Sequence, residues 1–305
     1  MTNALTILAA FILGFALSRA STCTVAATMR LVHQRKFDWL LGIAVAVSWS
    51  ALALFLIRLV FSDSMAAPQA FAINATLVAA AIIMGVGAWM NSGCFIGSVG
   101  RVSSGNLSFV ATFLGLAASQ MLSDVVHQSN FASMEPVARL STQSGAPFWG
   151  FVATFAALLG WSVWRITRRR QQAIIALATM GAAAAIVYSL QPSWSYEALI
   201  GRLVHGENVL NDLVVVLTVA ALFAGATISA ALNQKFQLTH MGVIGTISCF
   251  LGGLLMGLGA QLMPGGNDTL ILWVIPSFAF HALVAYLLMI ATVALLLMIK
   301  PPPAA

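Results

Sequence analysis

Long runs of apolar residues, separated by short polar segments, make up almost the whole chain. A helix that crosses the hydrocarbon core of a bilayer needs about 20 mainly apolar residues. Nine runs approach this length, and the first and fourth of them are short. They predict an all-α polytopic membrane protein with transmembrane helices near residues 3–20, 38–60, 70–90, 107–122, 148–165, 171–190, 211–231, 241–262 and 277–299.

The composition of the chain argues against a soluble globular protein. Of its 305 residues, 60% are hydrophobic and only 7% are charged, and the mean hydropathy is +0.96. Soluble domains carry about 25% charged residues, because a large part of any globule faces water. Lipid is the solvent that suits this chain, and we expect residues 1–305 to form a single membrane domain.

The basic residues lie where they would orient the chain in a membrane. Lys and Arg concentrate in cytoplasmic loops, and an outside N-terminus with a cytoplasmic C-terminus places 11 of the 14 basic residues inside. Because they are scattered between apolar runs, they form no nucleic-acid-binding surface. The 11 residues are Arg19, Arg30, Arg35, Lys36, Arg101, Arg165, Arg168, Arg169, Arg170, Lys235 and Lys300.

Two segments near the ends of spans share a glycine pattern. Residues 84–97 and 256–267 align without gaps, which suggests an internal duplication with halves at residues 1–165 and 171–305. A fainter similarity links residues 13–18 with residues 224–229. Glycines of this kind are also consistent with close helix packing alone. The matched residues are Met84, Gly85, Gly87, Ala88 and Gly93 in the first segment and Met256, Gly257, Gly259, Ala260 and Gly265 in the second.

The same segments predict helices that break inside the membrane, at Ser92-Gly93 and at Pro264-Gly265-Gly266. Broken backbone leaves N–H and C=O groups unpaired, and a membrane protein tolerates this where the backbone lines a cavity. Freed N–H groups at the N-terminus of a half-helix attract anions. Paired breaks in two corresponding halves are typical of transporters, so we expect these residues at a central transport site.

The cysteines differ in their surroundings. Cys94 follows the first break directly, and if a helix resumes there, Cys94, Gly97 and Arg101 share one face. That face would present a thiol, bare backbone and a guanidinium to an anion. Cys23 follows the first span in a hydroxyl-rich segment and is a second candidate. Cys249 lies inside an apolar run, where a small buried hydrophobe is the simpler interpretation.

No catalytic, metal or cofactor site is evident in the sequence. The five histidines are isolated, without metal-ligand spacing, and the three cysteines form no zinc or disulfide pattern. We therefore expect no enzymatic activity, no metal and no cofactor. Asp268, beside the second break, is interpreted as the N-cap of the next helix.

A resemblance to the YeeE/YedE family rests on three segments. They are NSGCFIGSVGR (residues 91–101), GGLLMGLGAQLMPGGND (252–268) and STC (21–23). That family consists of sulfur transporters of the bacterial inner membrane, including thiosulfate permeases. The resemblance covers nearly the whole chain and implies an hourglass-shaped protein with short membrane-inserted helices. It also implies uptake of thiosulfate along a cysteine-lined central pathway, with Cys94 as the central thiol and Cys23 as a second.

The chain departs from the family's pattern in its C-terminal half. The family typically has Gly-Cys-Asn where this chain has Gly265-Gly266-Asn267, and Cys249 lies too far upstream to replace the missing thiol. Its loss either weakens a thiosulfate relay or marks a related substrate, such as sulfite, sulfide, a selenium oxyanion or a small organosulfur anion. Because amides donate hydrogen bonds to anions as readily as thiols, we expect Asn267 to contribute to the site.

Two other functions remain open from the sequence. A membrane-embedded anchor or subunit of a sulfur-handling complex would have no transport activity of its own, and the short polar loops offer it little docking surface. A thiol-redox enzyme would need two cysteines within disulfide reach. For a transporter, the expected partners are the sulfur anion, the lipid bilayer and a cytoplasmic protein that accepts the sulfur.

Overall fold

The structure of the protein, a computed structural model, is almost entirely helical in the residues that it describes. These are residues 2–20, 22–61, 67–123, 136–138, 145–169, 171–263, 265–300 and 302. Within them, eight helices are long and apolar enough to cross a membrane, and a shorter apolar helix covers Leu107–Gln120. The prediction of an all-α polytopic membrane protein is confirmed.

Long and short helices follow one another along the described chain. Two-residue strands β1 (Ala70–Phe71) and β2 (Pro136–Val137) pair antiparallel. Turns of 3-10 helix at Leu107–Phe109 and Val209–Asp212 precede α6 and α10, and α12 continues as a π-helix at Leu270–Val274. The α-helices are α1 (Thr2–Ala20), α2 (Thr24–Gln34), α3 (Asp38–Phe61), α4 (Ala75–Met90), α5 (Phe95–Ser103), α6 (Val110–Gln120), α7 (Ala146–Arg169), α8 (Gln172–Leu190), α9 (Tyr196–Val204), α10 (Leu213–Leu232), α11 (Gly242–Leu262), α12 (Asn267–Thr269) and α13 (Phe280–Ile299).

Two helices begin later than the apolar runs predict. The run expected from residue 70 becomes helical at Ala75, because the Asn74 side chain caps α4 by accepting from the N–H of Leu77 at 2.9 Å. The run expected from residue 277 becomes helical at Phe280, because Phe278 adopts a left-handed conformation with φ of 62°.

Glycines let the backbones of neighbouring helices touch. A Cβ atom added at Gly14 of α1 would collide with a backbone carbonyl of α10, and one added at Gly225 of α10 would collide with a backbone carbonyl of α1. The similar segments 13–18 and 224–229 are therefore partners across one helix crossing, which explains why both carry small residues.

The order of elements before α7 recurs after it. In the first run α2 and α5 are shorter than α1, α3 and α4, and in the second run α9 and α12 are shorter than α8, α10 and α11. The last helix of the first run, α6, has 11 residues, whereas α13 has 20. Contacts recur as well, since α1 packs on α10 as α3 packs on α8, and α6 packs on α11 as α4 packs on α13. A shift of about 170 positions along the sequence relates the corresponding elements, and it is 172 for α2 with α9 and for α5 with α12.

The two helix breaks obey the same shift. The N–H of Gly93 donates to the carbonyl of Ala88 at 3.1 Å, and the N–H of Gly265 donates to the carbonyl of Ala260 at 3.0 Å. These bonds satisfy carbonyls that the ends of α4 and α11 would otherwise leave unpaired. Pro264 lies outside the described residues.

Candidate functional site

The two short helices that follow the breaks begin side by side. Helix α5 starts at Phe95 directly after Cys94, and α12 starts at Asn267 directly after Gly266. The N–H of Phe95 donates to Oδ1 of Asn267 at 3.1 Å. A side chain from one half of the chain thus satisfies a backbone donor that the first turn of α5 leaves free.

A buried asparagine holds the first break in its conformation. The Nδ2 atom of Asn91 donates to the carbonyl of Gly93 and to Oγ of Ser98, both at 2.8 Å. Its Oδ1 atom accepts from Oγ1 of Thr112 at 2.6 Å. Ser92 between them has a φ of 53°, a left-handed conformation that non-glycine residues seldom adopt. The fully bonded asparagine fixes this strained turn and therefore the position of the next residues.

The structure brings Cys23 and Cys94 together. Their sulfur atoms are 3.9 Å apart, and the N–H of Thr24 lies 3.3 Å from the sulfur of Cys94. The hydroxyl groups of Thr24 and Tyr286 are 3.0 Å apart. Cys94 precedes α5 and Cys23 precedes α2, so each thiol lies at the N-terminus of a short helix, where the helix dipole favours negative charge.

Gly97 makes room for the cysteine pair. A Cβ atom at this position would lie 2.5 Å from Sγ of Cys23 and 3.7 Å from Sγ of Cys94. The bare face expected at Gly97 is therefore covered by Cys23. Cys94 is fully buried, whereas Cys23 is partly exposed, so Cys23 is the more accessible of the two thiols.

A cavity of about 310 Å³ opens beside Cys23, and we call it the cysteine-side vestibule. Arg101 reaches it from the last turn of α5, with its guanidinium 5.6 Å from the centre of the Phe109 ring. A second basic residue, Lys235, also lines it. The cavity therefore combines a thiol with cationic side chains, which suits an anion. Its other lining residues include Thr22, Gly97 and Ser104.

A second cavity, of about 610 Å³, reaches the other broken helix, and we call it the carboxylate-side vestibule. Gly265, Thr269 and Glu197 line its inner part. Burial, and next the charge of Asp268, raise the pKa of Glu197 to about 8, although a hydrogen bond from the backbone of Gly266 works against them. Other lining residues include Tyr188, Ser195, Arg202, His205, Glu207 and Gln261.

Helix α11 separates the two vestibules. Ser104 lines the cysteine-side vestibule and accepts a backbone hydrogen bond at 2.9 Å from Gln237, shortly before α11 begins. Gln261, in the last turn of α11, lines the carboxylate-side vestibule. The helix has 21 residues and is therefore about 31 Å long, close to the thickness of a bilayer core. The two cavities lie toward opposite ends of this helix, with the broken helices between them.

Cys249 and Asn267, which the sequence also suggests as site residues, lie in different surroundings. Cys249 packs with Phe109 and Ala111 in an apolar cluster separate from the one that contains Cys94. Asn267 is fully buried, and its Nδ2 atom has no hydrogen-bond partner among the described residues.

The interpretation of Asp268 as an N-cap is wrong. Gly266 takes the cap position of α12, and Asp268 lies one residue inside the helix. Its neighbour is instead the Tyr196 side chain of α9, which an analysis of the sequence alone does not bring near α12. In the part of the chain that the structure describes, no three His, Cys, Asp or Glu side chains are grouped to hold a metal ion.

Sequence analysis missed three residues of this region, namely Thr24, Asn91 and Glu197. The first two adjoin predicted site residues but carry no motif of their own. For Glu197 the sequence does contain a signal. The 172-position shift relates Cys23, the residue before α2, to Ser195, the residue before α9, so the segment that contains Glu197 corresponds to a predicted site segment.

A comparison with known protein families matches residues 19–295 to one of them, described as Sulphur transport. The matched range contains every residue of the two vestibules and the broken helices named above. A comparison with curated proteins finds no match.

Proposed function

The chain belongs to the sulphur transport family, and from this premise we propose that it takes up thiosulfate, or a related small sulfur-containing anion, across the bacterial inner membrane. The anion enters the carboxylate-side vestibule and passes between the N-termini of α5 and α12. It then meets Cys94 and Cys23 and leaves through the cysteine-side vestibule.

The contact between Cys23 and Cys94 is the observation that carries this proposal. It lies where a vestibule ends against the N-terminus of α5. A thiol is a weak hydrogen-bond donor with a polarizable sulfur atom, so two adjacent thiols suit the sulfur end of thiosulfate. The helix N-terminus beside them favours its negative charge.

The described conformation keeps this path closed. Cys94 and Phe95 are both fully buried, and the Phe95 ring lies against the Gly266 backbone at the start of α12. A small movement of α5 relative to α12 would break the bond between Phe95 and Asn267 and uncover Cys94. Gating of one repeat against another around a fixed central site is the usual means of alternating access.

We further propose that the two runs of helices are an inverted repeat. Four long apolar helices, α1, α3, α4 and α7, precede α8, and we count the shorter apolar helix α6 as a fifth span, so that α8 crosses the membrane in the direction opposite to α1. The end of α1, with the cysteine-side vestibule, and the end of α8, with the carboxylate-side vestibule, then face opposite compartments. Arg101 and Lys235 favour the cytoplasm for the cysteine side, with the N-terminus outside.

Growth of a bacterium that lacks sulfate uptake, with thiosulfate as the sole sulfur source, tests the function. We expect the wild-type chain to restore growth and the Cys94→Ala variant to fail, because the central thiol is lost. Cys249→Ala is the matched control, since it removes a buried thiol from a separate apolar cluster. Uptake of labelled thiosulfate by the same cells gives the rate.

The outcomes of this experiment test the proposed substrate and the proposed cysteine pathway separately. Growth with Cys94→Ala equal to the wild type would retain transport and refute the cysteine pathway. No growth with the wild type, with the protein present in the membrane, would refute thiosulfate as the substrate. Sulfite, selenium oxyanions and the anchoring role would then be tested in its place.

A further inference from the structure

The carboxylate-side vestibule poses an electrostatic problem for a sulfur anion. Glu197 lines its inner part, and Asp268 is buried close by at the start of α12. Nearer the mouth, Arg202 is held in ion pairs with Glu207 at 2.9 Å and Asp212 at 3.2 Å. With the carboxylates ionised, the vestibule therefore carries excess negative charge and repels an anion.

Close to this vestibule, the protein leaves one hydrogen-bond donor unused. Nδ2 of Asn267 is fully buried without a hydrogen-bond partner in the described residues, and it adjoins the vestibule-lining residues Gly265 and Thr269 in sequence. An unpaired buried donor costs about 1–3 kcal/mol unless a ligand or water satisfies it. The donor indicates an anion position. Since the Glu197 carboxylate accepts a hydrogen bond from the backbone of Gly266, the residue before Asn267, an ionised Glu197 opposes an anion there.

The carboxylates belong to one vestibule only. The shift of 172 positions relates Glu197 to Val25 and Asp268 to Ile96, and both of these apolar residues are buried near the cysteine pair. The cysteine-side vestibule instead carries Arg101 and Lys235. The two ends of the path thus have opposite electrostatic character, and only one of them needs its charge neutralised before an anion can bind.

We propose that Glu197 is a proton-binding site of the transporter, and that the sulfur anion reaches Asn267 only when the Glu197 carboxyl group is protonated. The proton comes from water in the carboxylate-side vestibule and binds one carboxylate oxygen of Glu197, so that a negative group becomes neutral. This inference rests on the proposed function, because it concerns the anion that the protein carries.

Among the described residues, the titratable groups that face Glu197 most closely are Asp268, Tyr188 and Tyr196. Asp268 of α12 is a second carboxylate, and Tyr188 of α8 and Tyr196 of α9 are neutral at ordinary pH. Arg202, His205, Glu207 and Asp212 lie farther out, with the Arg202 charge engaged as described. Helices α6 and α10, which pack on α9, contain no titratable side chain.

Linkage between the proton and the anion gives a test that needs no transport. If a proton favours anion binding, then anion binding must take up protons to the same extent. Half of the Glu197 groups already carry a proton at pH 8 if their pKa is about 8. We therefore expect thiosulfate, added at pH 8 to purified protein in weakly buffered detergent solution, to remove about half a proton per protein from the solution. Glu197→Gln should take up none, and Asp38→Asn, which removes a carboxylate paired with Arg30 and distant from this vestibule, should behave as the wild type.

The affinity of the wild type provides a second measurement if Glu197→Gln fails to fold. With a Glu197 pKa of about 8, the protonated fraction falls about tenfold between pH 7 and pH 9, and the apparent Kd for thiosulfate should rise by about the same factor. A Kd independent of pH, or equal proton uptake by Glu197→Gln and the wild type, would overturn the inference. Absence of thiosulfate binding at any pH would overturn the proposed function, and the inference with it.

Discussion

Gly97 and Cys23 show how one missing side chain shapes the site. The sulfur of Cys23 occupies the place where a side chain of residue 97 would begin, and this brings it to 3.9 Å from the sulfur of Cys94. The sequence spacing correctly placed Gly97 and Cys94 on one face of α5. The same spacing gave no indication that Cys23, which precedes α2, would cover that face.

Replacement of Gly97 tests this arrangement. In Gly97→Ala the new methyl group displaces the Cys23 sulfur from Cys94, and we expect uptake to fall about tenfold or more, because small misplacements at a site are costly. Gly100→Ala is the matched control on the same helix, since its methyl group meets Leu17 at an ordinary 3.6 Å. Equal uptake by the two variants would show that the cysteine contact is dispensable.

Helix crossings explain many of the glycines outside the site. Gly87 of α4 and Gly259 of α11 each face the backbone of the other helix, and Gly85 faces α13. The packing interpretation of this glycine pattern therefore applies to these residues, whereas Gly93 and Gly265 lie in the breaks themselves. Small residues are needed because helices in lipid associate through close backbone contact.

The close crossing of α1 and α10 predicts how the replacement of one of its glycines changes the stability of the protein. Gly225→Ala places a methyl group against a backbone carbonyl of α1, and we expect the free energy of unfolding to fall by about 1–3 kcal/mol. In Gly160→Ala, where nothing lies within 4 Å of the new atom, the free energy should rise slightly, because alanine favours the helix. Thermal unfolding in detergent, followed by tryptophan fluorescence, measures both. A lower midpoint for both variants would contradict the close crossing.

The whole molecule combines two similar runs of helices with one unmatched helix, α7. In the proposed topology, the unmatched helix makes the number of spans before α8 odd, and the second run is therefore inverted relative to the first. The carboxylates of one vestibule and the cations of the other then meet different compartments. In this proposal, the difference between the two vestibules gives the transport path its direction.

Labelling with a membrane-impermeant thiol reagent tests the inverted arrangement. In a variant without the three native cysteines, Glu207→Cys should react in intact cells, because this exposed residue follows α9 on the outer side. Lys36→Cys, exposed after α2, should react only after permeabilisation. Lys300→Cys serves as a second cytoplasmic position. Reaction of the Glu207 and Lys36 variants from the same side would refute the inverted repeat.

The sequence by itself determined the membrane fold and located the breaks. Long apolar runs specify transmembrane helices because lipid requires every backbone group to be paired within the segment. Local chemistry was also sufficient to place Cys94 beside a break, since the left-handed turn at Ser92 and the glycine after it are properties of neighbouring residues.

Only the tertiary structure decided which distant residues meet. Cys23 and Cys94 are separated by 71 positions, Phe95 and Asn267 by 172, and neither contact follows from any local pattern. The proximity of Glu197 to Asp268 depends likewise on α9 packing near the start of α12. Proximity between remote segments, and the electrostatic environment that it creates, arise from the packing of the helices and not from the sequence around each residue.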